Sequence, residues 1–346
     1  MVISCQFCIF VVKLLLIMGI YSDYTIDFRI ASYDYIENFI SKKVPDWSKW
    51  NYEIGTDEIA TDFANEIGKM DAKDFEFLTL HCGYIPDYYG KDSSQETLYS
   101  KLVEVLVCEW AKRVGFTHSY IQKQKSNKED ITIQLNDYVI VCDAKSFRLG
   151  RSQAAPNVKD AIKKQAYSTW LSEYNDKVQV GGLTTFPSLH DWKRGGEAYM
   201  YYTEGNPSIM ILFYEIMSFI LHKNITAEKL IECLNAYGQI FPSASNDKKV
   251  YWNGIISFFC PTKEERGYFD AYQQEVHKYI VEKSTHSLNK LQTMIENIKK
   301  EVEKQLSTKT QGEIFEIAKD ALVDNQCREL YDQVTNIKKF RPYNKN

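Results

Sequence analysis

The chain has 346 residues, 44% of them apolar, 14% aromatic and 25% charged, and a formal net charge of -4. These values are ordinary for a soluble globular protein, support a sizeable packed core, and exclude a chain that is basic overall. They leave nucleic acid open as a partner, because a local basic surface binds phosphate on a protein of any net charge.

The first stretch, "IFVVKLLLIMGI" (9–20), is apolar but interrupted by Lys13. It is shorter than the roughly 20 residues that a spanning helix needs. It also lacks the basic start and small-residue cleavage site of a secretory signal. Residues 1–17 are therefore read as an upstream extension of the frame with Met18 as the start, the rival reading being a membrane-surface or packing helix. The eight cysteines are Cys5, Cys8, Cys82, Cys108, Cys142, Cys233, Cys260 and Cys327. They are scattered, with "CQFC" (5–8) as the only close pair. That pattern fits reduced core thiols in a cytoplasmic chain rather than a disulfide framework or a zinc site.

Residues 24–90 read as helical segments with loops, including "DEIATDFANEIGKM" (57–70) with Ile59, Phe63 and Ile67 at helical spacing. A strong helix is predicted over 93–116, capped by Ser93 or Ser94, with a stripe at Leu98, Leu102, Val105 and Leu106 and a stop at Gly115. A hairpin follows at "EDITIQLNDYVIVCDAKSF" (129–147), and then a basic loop leading into a helix over 148–174. "KVQVGGLTTF" (177–186) reads as a strand. "SIMILFYEIMSFIL" (208–221) reads as a strand covered on both faces that turns helical after Tyr214. "THSLNKLQTMIENIKKEVEKQL" (285–306) places Leu288, Leu291, Ile295, Ile298 and Val302 on one helical seam, to be covered by its own domain or a dimer mate. The alternation of helix and strand predicts an α/β core. The expected organisation is an apolar extension (1–20), a mostly helical part (21–92), a core (93–262) and a helical C-terminal region (263–346).

The hairpin carries the chemistry. With Asn136-Asp137 as a two-residue turn, residues whose numbers sum to 273 face each other, so Leu135 faces Tyr138 and Asp130 faces Asp143. Lys145, two residues beyond Asp143, points to the same face, while Ile131, Ile133, Leu135, Ile140 and Cys142 point to the other. Directly opposed like charges destabilise a hairpin. A divalent cation removes that cost, since Mg²⁺ is commonly held by one or two carboxylates together with waters and phosphate oxygens. A lysine beside it can orient or deprotonate the attacking water and hold a phosphate. The plain alternative is a surface hairpin in which Lys145 pairs with one of the acids. The segment that follows is basic, with Arg148, Arg151, Lys159, Lys163 and Lys164, and suits a polyanion; its plain alternative is a solvated helix face. "WKRGG" (192–196) is a further candidate backbone-contacting loop, with a plain surface turn as the alternative.

"SSQETLYSK", then "VCDAKSFRLGR" and "KDAIKKQAYSTWL", together resemble the HindIII family of type II restriction endonucleases, over roughly residues 80–222. The resemblance implies a restriction-endonuclease-like, PD-(D/E)xK core, a mixed central sheet flanked by helices. It implies Asp130 and Asp143 as catalytic, metal-binding acids and Lys145 as the catalytic lysine, with Mg²⁺ as the cofactor. Glu129 stands where that motif often has proline. Glu96, on the helix before the hairpin, is added as a further candidate acid; an acid favoured by the helix dipole is the plainer reading. Arg148 and Arg151 match the family pattern and are candidates for DNA contact, together with Lys159, Lys163 and Lys164. The implied activity is that of a homodimer cutting double-stranded DNA at AAGCTT to leave 5′ overhangs, with a DNA methyltransferase as genetic partner and no membrane association. Two other functions stay open at this point. One is a repair or junction nuclease of the same fold. The other is a non-catalytic DNA-binding or assembly protein whose acids are structural.

Removal of residues 1–17 is expected to leave DNA cleavage unchanged, as read by comparing the truncated and full-length chains on one substrate.

Overall fold

Apolar periodicity and turn chemistry carry over into the observed elements. The computed structural model of the chain describes residues 19–47, 52–91, 93–122, 127–149, 164–188, 207–240, 248–306 and 312–338. The predicted N-terminal extension falls outside them, apart from its last two residues. Four helices come first: α1 (Ile26–Tyr33), α2 (Tyr35–Lys43), α3 (Tyr52–Ile67) and α4 (Ala72–His81). The short β1 (Tyr84–Ile85) leads to α5 (Ser94–Val114), followed by β2 (Tyr120–Ile121), β3 (Ile131–Leu135), β4 (Tyr138–Ala144) and β5 (Phe147–Arg148). Next come α6 (Lys164–Leu171), β6 (Val178–Phe186), β7 (Ile209–Phe213) and α7 (Tyr214–His222). The last part is helical, with α8 (Ala227–Asn235), α9 (Tyr237–Ile240), α10 (Lys248–Phe259), α11 (Lys263–Leu306) and α12 (Gly312–Lys338).

The long helix α5 begins and ends where its sequence says it should. The Ser93 hydroxyl accepts the Glu96 N–H at 3.2 Å, and Gly115 ends the helix in the left-handed region at φ 118°. Its stripe of Leu98, Leu102 and Leu106 is fully buried, and the Trp110 indole N–H donates to the Met217 carbonyl of α7 at 2.9 Å.

Five strands form one mixed sheet in the order β2-β3-β4-β6-β7, antiparallel from β2 to β4 and parallel from β4 to β7. The β3–β4 hairpin turns at Asn136, which takes φ 52°. All five residues of β7 are buried, as expected of a parallel strand covered on both faces. The chain turns helical at Tyr214, one residue earlier than predicted. Helix α5 packs against β3 and β4 on one face, and α6 packs against β4 and β6 on the other. This is the mixed sheet flanked by helices that the resemblance implies. A second, two-stranded parallel pair joins β1 to β5 just beyond the end of β4.

Close approach of α6 to the sheet depends on Gly182. A Cβ atom built there would lie 2.2 Å from the ring of Tyr167, so only a hydrogen at this position lets α6 settle onto β6. The C-terminal seam is real but longer than predicted. Helix α11 spans 44 residues, because Phe269, Tyr272, Val276 and Ile280 already lie at 3–4 spacing and are buried ahead of the predicted start at 285. Leu291, Ile295 and Val302 are buried within this chain, where α11 packs against α12 and Leu291 borders Tyr33 and Tyr84. Polar contacts fasten α11 to the N-terminal helices: ion pairs of Arg29 with Glu282 at 2.8 Å and of Lys290 with Glu37, and a hydrogen bond between His286 Nε2 and Asp34 Oδ2 at 3.0 Å. All six cysteines among the described residues are free and buried, and none of the described helices is long and apolar enough to cross a membrane.

Gly182→Ala is expected to lower stability by about 1–3 kcal/mol, the usual cost of overpacking, as read from the denaturant midpoint.

Candidate active site

The observed register is the one that the turn predicts. Ile131 pairs with Cys142, Ile133 with Ile140 and Leu135 with Tyr138. The paired register ends at Ile131 and Cys142; the Asp130 N–H just before it donates to the same Cys142 carbonyl at 3.1 Å, which brings Asp130 alongside Asp143. Ile131, Ile133, Ile140 and Cys142 are buried, and Cys142 lies near Cys108 and Glu104 of α5. Asp143 points the opposite way, toward Tyr167 of α6. The carboxyl groups of Asp130 and Asp143 lie within hydrogen-bonding reach of each other. Asp130 Oδ2 also accepts the Ala144 N–H at 3.0 Å, and Lys145 Nζ lies 2.7 Å from Asp143 Oδ1. Two acids and a lysine are thereby collected at the carboxyl end of β4.

Their environment makes two negative charges costly. Asp143 is only 6% exposed. Burial pushes its carboxyl up to about 7; Lys145 pulls it down, and the neighbouring Asp130 carboxylate pushes it further up. The lysine's main chain is held firmly. Its N–H faces the Thr185 carbonyl and hydroxyl, each at 3.2 Å, and its carbonyl accepts the Tyr214 hydroxyl at 3.1 Å. Tyr214 and Thr185 are themselves joined at 2.9 Å. On the acid-bearing face, buried Tyr167 is hydrogen-bonded through its hydroxyl to Thr184.

The other predicted site residues are placed differently. Glu96 lies in the first turn of α5 and pairs with Arg148, Oε2 to Nη2 at 2.7 Å; the same Nη2 also donates to the Gly90 carbonyl at 2.9 Å. These two residues, read separately as an extra site acid and a DNA contact, therefore form one ion pair. Lys164 is the first residue of α6 and is half-buried. Arg151, Lys159 and Lys163, and the "WKRGG" loop, lie outside the described residues. Among the described residues, no third His, Cys, Asp or Glu joins Asp130 and Asp143 in a metal-holding cluster.

Several supporting residues escape a reading of the sequence: Glu129, Tyr167, Thr184, Thr185 and Tyr214. Two adjacent threonines inside the otherwise apolar "GGLTTF" were the available signal, since a buried hydroxyl needs a partner. Glu129 stood out only as a substitute for proline.

The arrangement fits Mg²⁺. The two carboxylates offer hard oxygen donors, they are already in contact, and Asp143 is buried at a raised proton affinity that a cation would relieve.

The raised Asp143 value has a testable consequence for the metal-free chain. Between the ordinary carboxyl value of 3.8 and about 7, the folded chain holds a proton that the unfolded chain has lost. Stability from this group is therefore full at low pH and falls as pH rises toward 7. Asp143→Asn is expected to be more stable than the parent by about 2–4 kcal/mol at pH 8 without divalent cations, with the gap closing toward pH 4. Melting curves of the two proteins across that range check it.

Residues 51–315 match the family model described as HindIII restriction endonuclease. A comparison with curated proteins gives no match.

Proposed function

Because the chain belongs to the HindIII restriction endonuclease family, and is thereby a type II site-specific deoxyribonuclease, we propose that it cuts double-stranded DNA in a Mg²⁺-dependent reaction at Asp130, Asp143 and Lys145. The observation that carries this reading is the apposition of Asp130 and Asp143, with the Lys145 ammonium 2.7 Å from Asp143.

In this reading, Asp130 and Asp143 hold the cation through their carboxylate oxygens. When bound, Mg²⁺ supplies charge neutralisation at the scissile phosphate and a water of lowered pKa. Lys145 presents its ammonium to the phosphate and orients the attacking water. The double clamp through Thr185 and Tyr214 fixes the main chain from which Lys145 extends, and the ion pair to Asp143 holds its ammonium. Burial by Tyr167 and the sheet lowers the local dielectric, so that the Lys145 ammonium would act more strongly on negative charge developing at the phosphate.

The proposed target is the palindrome AAGCTT, cut to leave 5′ overhangs. A twofold-symmetric homodimer suits such a site, each copy cutting one strand. A cytoplasmic enzyme of this kind needs a partner methyltransferase to protect the same sequence in host DNA. Arg148, Arg151, Lys159, Lys163 and Lys164 are proposed to contact the duplex.

Incubation of phage DNA with the purified chain and Mg²⁺ is expected to give discrete fragments whose mapped ends share AAGCTT, and none in the presence of a chelator. Smearing or structure-dependent cutting would point to another kind of nuclease, and intact DNA to a non-catalytic binder. Asp143→Ala is expected to lose detectable cleavage while remaining folded by circular dichroism. Lys145→Ala is expected to lose about 10²–10³-fold in rate while keeping metal-dependent DNA binding in a gel-shift assay.

A further inference from the structure

We propose that Glu129 is a positioning residue that fixes Asp130 for metal binding, by anchoring the start of β3 to the turn that follows α6. The inference rests on the reading of Asp130 and Asp143 as metal ligands.

Glu129 is 1% exposed, one residue from Asp130. Its Oε1 accepts three hydrogen bonds: from Gln122 Nε2 at 3.0 Å, the Thr132 hydroxyl at 2.7 Å and the Tyr174 hydroxyl at 2.5 Å. The donors come from three separate places: the end of β2, β3 itself, and the turn after α6. The three donor atoms also lie close to one another, Gln122 and Thr132 at 2.8 Å, Gln122 and Tyr174 at 3.0 Å and Thr132 and Tyr174 at 2.9 Å, so they form one compact polar cluster around the carboxylate. Two neighbouring contacts run between the same two segments. Trp170 Nε1 donates to the Asn127 carbonyl at 2.8 Å, and Lys128 pairs with Glu173 at 2.5 Å.

A carboxylate is an expensive choice for a site whose only task is to fill space. Burying it costs several kcal/mol, which its hydrogen bonds only partly recover, and an apolar side chain of similar volume would pack at less cost. What the carboxylate adds is direction, because three donors on one oxygen fix both its place and the main chain that carries it. Asp130 is next along that main chain. Its carbonyl accepts the Gln122 N–H at 3.1 Å, and its N–H donates to Cys142 at 3.1 Å. With the Glu129 network in place, the Asp130 side chain leaves the chain at the point from which it meets Asp143. Loss of the network frees the segment 127–130 at its junction with β3, and the two acids lose their common aim.

The test is direct metal binding, with Mn²⁺ as the probe and free Mn²⁺ read by electron paramagnetic resonance, beside cleavage and melting. Removal of an outer partner of a metal ligand costs about 10–100-fold in affinity, so Glu129→Ala is expected to bind Mn²⁺ about tenfold more weakly. Glu129→Gln keeps the acceptor oxygen and is expected to bind within about threefold of the parent. Tyr174→Phe keeps the ring and removes one donor; it is expected to weaken binding by about threefold with little change in melting temperature, and it decides the matter if Glu129→Ala does not fold. Parent-like Mn²⁺ affinity in Glu129→Ala, or in Tyr174→Phe where Glu129→Ala does not fold, overturns the proposal. So does a loss in Glu129→Gln equal to that in Glu129→Ala, which would assign the effect to charge rather than position. Asp130→Asn is measured alongside: parent-like binding there sinks the metal-site reading itself, whereas its loss beside an unaffected Glu129→Ala sinks only the role of Glu129.

Discussion

Two carboxyl groups held in contact on a buried sheet face repel each other, and the surrounding structure has to oppose that repulsion. The fold does so with hydrogen bonds and one nearby cation rather than by moving the groups apart. The Ala144 N–H holds one Asp130 oxygen and the Lys145 ammonium holds one of Asp143. The remaining cost shows in the raised proton affinity of Asp143. Such a site is a stored demand for positive charge. It costs stability in the metal-free chain and offers a place where a cation gains more than it would on an open surface.

That demand can be sustained because β4 is an interior strand of the sheet. It is hydrogen-bonded on both sides, antiparallel to β3 and parallel to β6. Its apolar side chains sink toward α5, whose buried stripe and Trp110 link reach as far as α7. Its polar end is framed by Thr185 and Tyr214, from β6 and α7, which grip the main chain of Lys145 rather than its ammonium. The backbone is fixed, while the side chain is 27% exposed and its ammonium is paired with Asp143. Sites built on strands and braced by neighbouring elements hold their geometry better than sites on loops.

Much of this was legible because it is local. A period of two and an Asn-Asp turn set the hairpin register, so the face shared by Asp130, Asp143 and Lys145 followed from counting. Ser93 and Gly115 marked the ends of α5, and 3–4 spacing marked the seam of α11. What was not legible joins residues far apart in sequence. Thr185 reaches Lys145 only because β6 lies parallel to β4, and nothing in "KVQVGGLTTF" states its neighbour. Tyr174 reaches Glu129 only after α6 has settled on Gly182. The pairing of β1 with β5, which brings Gly83 to Phe147, has no signal in two residues of strand. Local chemistry fixes which face a side chain takes; tertiary packing fixes who meets it there.

The Glu96–Arg148 pair shows why that difference matters for DNA contact. Read separately, one residue is a spare acid and the other a free cation beside the site. Together they are a 2.7 Å pair, with side chains 17% and 23% exposed, and Arg148 is tied besides to the Gly90 carbonyl. A phosphate approaching Arg148 has to compete with a carboxylate already in place and with the geometry of β5. An exposed lysine meets no such competitor, so the attraction that Arg148 contributes to an approaching duplex is smaller than its formal charge suggests. Its firmer contribution is to bind the N-terminal turn of α5 to the strand just beyond Lys145. That contact needs no DNA to form.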